Sequence, residues 1–210
     1  MVGVTDSINR ANLMVKENPV ILAPIIISVV IDVIIGFTPS GLIGMVVSGI
    51  VRFIALSMII VSALMLLEGK PLNLKKGLDI VLGMIVTLLI IAIVSAVLTI
   101  TIILIPIALL LPVVAIVKRL GVMESLKESV SFVIGNLKEI IVFMIILLVI
   151  EVLVFTSSTL AIGSPILVIV SMVVSDFIFA FFIIALTILY YTRGGEIVEE
   201  AQLPPVPPPP

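Results

Sequence analysis

Residues 80–117, from Ile80 to Val117, form a run of 38 residues without one charged side chain. As a single straight helix the run would be about 57 Å long at 1.5 Å per residue, against a hydrocarbon core of about 30 Å. A chain of this kind has to fold back on itself. Thr99 and Thr101 stand near the middle of the run and Pro106 follows. A proline lacks the backbone donor that a helix interior needs, so the reversal belongs there. The spacing predicts two spans, 78–99 and 102–118. A second reading has one long span followed by a re-entrant segment that ends on the opposite side.

Composition points the same way. Of 210 residues, 62% are apolar and 11% charged, against roughly 25% charged in an ordinary soluble domain. A globule of this size has too much surface for its volume to hide that much apolar area. A soluble enzyme and a nucleic-acid binder are therefore excluded. The chain has no Cys, His or Trp, which excludes disulfides, thiolate chemistry, imidazole bases and ordinary zinc sites. No catalytic residue, cofactor or metal site is expected, and no Gly-rich phosphate loop occurs in the right context.

A membrane helix needs about 20 mostly apolar residues, and further runs of that kind lie at 19–37, 42–67, 140–156 and 165–192. With six spans, Arg10, Lys16, Lys70, Lys75, Lys76, Lys118, Arg119, Lys127, Lys138 and Arg193 all fall on one side. The loops on the other side carry no charge. Short loops rich in Lys and Arg stay cytoplasmic, so the expectation is a multi-pass cell-membrane protein with both termini in the cytoplasm. Five spans would break the bias at Lys118–Lys138. No small-x-small pattern closes the first apolar run, which is expected to stay as a span rather than be cleaved.

Two segments read as amphipathic helices at the membrane surface. In 4–18, Val4, Ile8, Ala11 and Val15 recur at helical spacing. In 119–139, Leu120, Met123, Leu126, Val130, Ile134 and Leu137 form an apolar stripe, with an interruption expected at Gly135–Asn136. Beyond the membrane domain, 1–193, residues 194–210 form an acidic, proline-rich tail. It is expected to be disordered or polyproline II. The fold class is thus all-α: a helical bundle of six transmembrane helices plus two interfacial helices.

Four charged side chains lie inside the apolar runs: Asp32, Arg52, Glu151 and Asp176. Counted from the cytoplasmic ends of their spans, all four fall about 20–26 Å from the inner boundary, in one layer of the outer half. A charge at the bilayer centre costs about 2.5–3.5 kcal/mol on insertion scales, so such groups face inward and find partners. Ser28, Asp32 and Gly36 share one helix face, as do Ser48, Arg52 and Ala55. Ser171, Ser175 and Asp176 adjoin, with Ala180 a turn on. Small and hydroxyl residues at such spacings let helices approach. Around Glu151 the sequence offers no such face. Three readings fit. The four form a structural ion cluster, with Arg52 able to serve two carboxylates; Asp32 and Glu151 reach outward to the headgroups; or the layer marks a proton or cation path.

The order of features carries a resemblance. Lys16-Glu-Asn-Pro19 ends the first amphipathic helix, Glu68-Gly-Lys-Pro71 follows the second span, and Leu189-Tyr-Tyr-Thr-Arg193 closes the sixth. The stretch 124–136, with Ser125, Ser129, Gly135 and Asn136, is similar to an A-x-x-x-S-x-x-x-x-x-G-N element in which Ser125 stands in place of the usual Ala. Over most of 1–193 the chain resembles the six-span membrane domain found with some glycerophosphoryl diester phosphodiesterases, and related uncharacterised membrane proteins of bacteria and archaea. The resemblance implies architecture alone, because the soluble phosphodiesterase barrel and its His and paired acids are absent. The expected role is a non-enzymatic scaffold or accessory, with the bilayer, another membrane protein or further copies of itself as partners. The alternative is a small transporter or channel built on Asp32, Arg52, Glu151 and Asp176. A water-accessible cavity reaching that layer favours transport, and a dry centre favours scaffolding.

Overall fold

A computed structural model describes residues 3–36, 41–160 and 164–194. Most of the expected tail and most of the 38–41 loop lie outside the described residues, within which all regular structure is helical.

Helix α1 (Val4–Glu17) ends at Asn18 and turns by 102° into a 3-10 turn (Pro19–Leu22) and α2 (Ala23–Gly36). Pro19 and Pro24 begin these pieces, where a missing N–H costs nothing. Helix α3 (Gly41–Leu67) follows. Asn73 then caps α4 (Leu74–Gly83), its side chain accepting from the Lys76 N–H at 3.0 Å. Helix α5 (Ile85–Thr99) leaves α4 at 76°, and a 3-10 turn (Ile102–Leu104) leads into α6 (Ile105–Lys118). Helix α7 (Val122–Gly135) is bent by 117° from α6, and two long helices, α8 (Leu137–Leu160) and α9 (Pro165–Arg193), complete the bundle.

By length and composition, three helices are fit to cross a membrane: α3, α8 and α9. The pairs α1–α2, α4–α5 and α6–α7 pass the same test only when each bent pair is taken together, giving up to six. Large apolar side chains such as Ile27, Leu42, Ile93, Leu148 and Ile166 lie exposed around the bundle. Water does not tolerate so broad an apolar surface on a monomer.

The uncharged run does reverse, between Thr99 and Ile105, and α5 packs back on α6. Pro106 opens α6, whereas Pro112 lies inside it. Pro112 has no N–H to give the carbonyl four residues earlier, that of Ala108. The Ser95 hydroxyl on α5 donates to that carbonyl at 3.1 Å. One bond thereby fills the gap in α6 and ties the hairpin together, as freed backbone groups in apolar surroundings require.

One expectation needs correction. The segment expected as one span at 78–99 is broken at Met84, directly after Gly83, so its first residues belong to α4. Glycine weakens the helix there, and the break turns Lys75, Lys76 and Asp79 away from the axis of α5. At 15 and 14 residues, α5 and α6 are each only about 21–23 Å long. Helix α7 packs its small residues inward: Ser125, Ser129, Phe132 and Val133 are its buried face, Leu120 and Leu126 of the expected stripe are half-buried, and Met123 and Ile134 are 65% and 70% exposed. Lipid tails are as apolar as a protein core, so small residues take the packed side and large ones the outside. Helix α1, in contrast, does bury Val4 and Ala11, together with Ser7, against the bundle.

Packing is uneven along the bundle. Ile59 and Ile60 of α3, Leu110 and Val114 of α6, Phe143 of α8, and Ile184, Ile188 and Tyr190 of α9 are fully or nearly fully buried in one core. Polar bonds lock the same end. Lys118 pairs with Glu128 at 2.7 Å, Tyr190 donates to Glu128 at 3.2 Å, and Arg193 reaches Asn136 and Glu139, each at 3.0 Å. At the other end the early turns of α3 and α9 and the later turns of α8 are largely exposed. There the helices splay apart.

Candidate functional site

The splayed end encloses a cavity of about 530 Å³, lined by Asp32, Arg52, Glu151 and Asp176 together. All four ionisable side chains singled out in the apolar runs therefore meet around one space, although they come from α2, α3, α8 and α9.

Each is held by a neighbour one helix away. Asp32 Oδ1 accepts a hydrogen bond from Ser48 Oγ. Arg52, one turn beyond Ser48 on the same face of α3, pairs through Nη2 with Asp176 Oδ1 at 2.5 Å. The guanidinium also lies 5.7 Å from the ring centre of Phe179, in cation–π range. Ser175 donates to Glu151 Oε2 at 2.9 Å. The second carboxylate oxygen, Glu151 Oε1, is buried and has no hydrogen-bond partner among the described residues. Asp176 is also within electrostatic reach of Asp32 and Glu151.

The arrangement departs from the sequence reading in two ways. Arg52 pairs with Asp176 alone among the described residues, not with two carboxylates at once. Glu151, for which the sequence offered no companion face, is served from across the gap by Ser175. Met45, Met172 and Phe155 complete the wall. No motif in the sequence marks these three side chains. Ser28 shares the face of Asp32, yet its hydroxyl is buried without a partner among the described residues.

Chemically, three carboxylates face one guanidinium, a formal excess of two negative charges. In surroundings poorer in water than bulk solvent, that excess attracts protons or other cations. Among the described residues no three acids converge closely enough to hold a metal ion. Direct multidentate coordination of a divalent ion, which takes six to eight oxygen ligands for calcium, is not what this geometry offers. A proton, a hydrated monovalent ion or an organic ammonium group suits it better.

The sequence matches no protein-family model and no curated protein, and the fold matches no solved structure.

Proposed function

We propose that the chain is a non-enzymatic, six-span integral membrane protein whose acid-rich cavity receives a small cation from the side opposite both termini. In this reading each bent pair counts as one span, and α1, α4 and α7 lie at the cytoplasmic surface. The positive-inside rule supports that orientation. So does the meeting of the basic ends of α6 and α9 with the start of α8 at one end of the bundle. The resemblance to the membrane domain found with glycerophosphoryl diester phosphodiesterases fits the same six-span plan.

The observation that carries the cation reading is the gathering of every charged side chain of the apolar runs around one cavity. The cost of burying such groups makes a purely incidental cluster a poor bargain. Transport then requires the packed basic end to open in a second state, since Ile59, Leu110 and Ile184 close it in this one. The test is flux into proteoliposomes under pH, sodium and ammonium gradients, comparing wild type with Asp176→Asn and Glu151→Gln. Flux that falls at least tenfold in the variants supports the reading.

A scaffold or accessory role is the second reading, and the tightly packed core and ion pairs toward the basic end favour it. It predicts no flux above that of empty vesicles, with the two variants changing only stability.

A further inference from the structure

A second cavity, of about 440 Å³, lies at the opposite, basic end, between the end of α3, the start of α4 and the end of α6. Its size falls within the roughly 300–1,000 Å³ of ligand sites. Arg52 and Glu68 are 16 residues apart on and just beyond α3, so the two cavities are separated by about 24 Å. Their charges are inverted. The first has three acids and one cation; the second is lined by Lys70, Lys76 and Arg119 with Glu68 as its one acid.

Glu68 is engaged with Lys70 at 2.7 Å, while Lys76 and Arg119 have no salt-bridge partner among the described residues. Arg119 is the one non-glycine residue with positive φ among the described residues, at 52°. That conformation is uncommon for a branched, bulky or long side chain. Asn73, the cap of α4, also lines the space, so the positive end of that helix opens onto it. Below this polar rim the wall is aliphatic: Leu64, Ile80, Ile116 and Val117.

We infer that this cavity is a binding site for one anionic phospholipid, its phosphate held by Lys70, Lys76 and Arg119 and its first acyl carbons against Leu64, Ile80 and Ile116. The vertical order of charge and hydrocarbon is that of a phospholipid at a membrane surface. Basic pockets between helices at a cytoplasmic boundary hold anionic headgroups by the same logic. A free anion would be served by the rim but would leave the aliphatic wall uncovered. The site depends on membrane embedding and not on the cation reading of the other cavity.

The test is native mass spectrometry and thermal melting of the full chain in neutral detergent, titrated separately with dioleoyl-phosphatidylglycerol, dioleoyl-phosphatidylcholine and inorganic phosphate. Wild type is expected to retain a single phosphatidylglycerol and to melt higher with it than with phosphatidylcholine. Each cation removed should weaken retention about fivefold, so Lys76→Gln with Arg119→Asn should weaken it more than tenfold. Asn keeps the tolerance for positive φ at 119. Lys127→Gln, outside the cavity, should change nothing. Equal retention of the two lipids by wild type overturns the proposal whether or not the double variant folds. Stabilisation by phosphate equal to that by phosphatidylglycerol overturns it in favour of a free anion. Failure of either kind leaves the flux experiment unaffected.

Discussion

Arg52 on α3 and Asp176 on α9 form an ion pair at 2.5 Å beside a cavity that two further acids share. The Arg52 side chain is 40% exposed and that of Asp176 only 10%. Both line the cavity, the guanidinium as the more open partner and the carboxylate as the more deeply set one. Losing the two partners should have unequal effects. Arg52→Leu leaves a poorly solvated acid beside Asp32 and Glu151, and should cost about 1–3 kcal/mol. Leucine at both positions should recover most of that loss, because burying neither charge is close to neutral. Melting in detergent of the two single variants and the double variant checks this. An unchanged melting temperature in Arg52→Leu would dismiss the structural pairing.

Ser95 and Pro112 make a second cycle. Ser95→Ala should cost about 0.5–1.5 kcal/mol, since the Ala108 carbonyl then loses its only donor from α5. Pro112→Ala restores a helical N–H to the same carbonyl, so the serine should matter less in that background. Equal losses in both backgrounds would show that the bond does not compensate the proline.

At the basic end Asn136 does two jobs. Its Nδ2 donates to the Phe132 carbonyl at 3.0 Å, closing α7, and its Oδ1 accepts from Arg193. Asn136→Ala should lower stability by about 1–2 kcal/mol. It should also raise proteolytic cleavage after Arg193, which Asn136 helps to anchor. Asn136→Asp, which keeps the acceptor, should retain the Arg193 contact and resist cleavage. A cleavage rate in Asn136→Ala equal to that of wild type would remove the locking role.

Tyr190 is enclosed at the same place, edge-on to Phe132 with ring centres 4.9 Å apart. A Cβ built on Gly194 would stand 2.8 Å from its ring and 3.0 Å from its carbonyl oxygen. Gly194→Ala should therefore displace the end of α9 and cost about 1–2 kcal/mol, read as a lower melting temperature. Tyr190→Phe, which loses only the bond to Glu128, should cost less than Gly194→Ala. The reverse order would contradict the packing.

The reversal of the long apolar run was legible because length alone forbids a straight helix, and Thr99 and Pro106 bracket the turn. The common level of Asp32, Arg52, Glu151 and Asp176 was legible because depth in a helix is a count of residues. Azimuth was harder. The stripe of α7 left its inward face open, since large apolar residues suit lipid and core alike, and the small Ser125 and Ser129 mark the packed side. The break at Met84 was hard to read because it falls inside an uncharged run, with Gly83 as its mark. The pairing of Glu151 with Ser175 depends on how α8 leans on α9, which no spacing within α8 encodes.

The chain has no cysteine, so a single thiol can be placed at Ser175, on the cavity wall, and labelled in membranes with impermeant reagents. The proposal of an acid-rich cavity open to the side opposite the termini predicts reaction from that side only. It predicts that a trimethylammonium methanethiosulfonate outpaces the sulfonate reagent by about tenfold or more, after correction for their rates with a free thiol. Equal rates, a faster anionic reagent, or labelling from the side of the termini would contradict it.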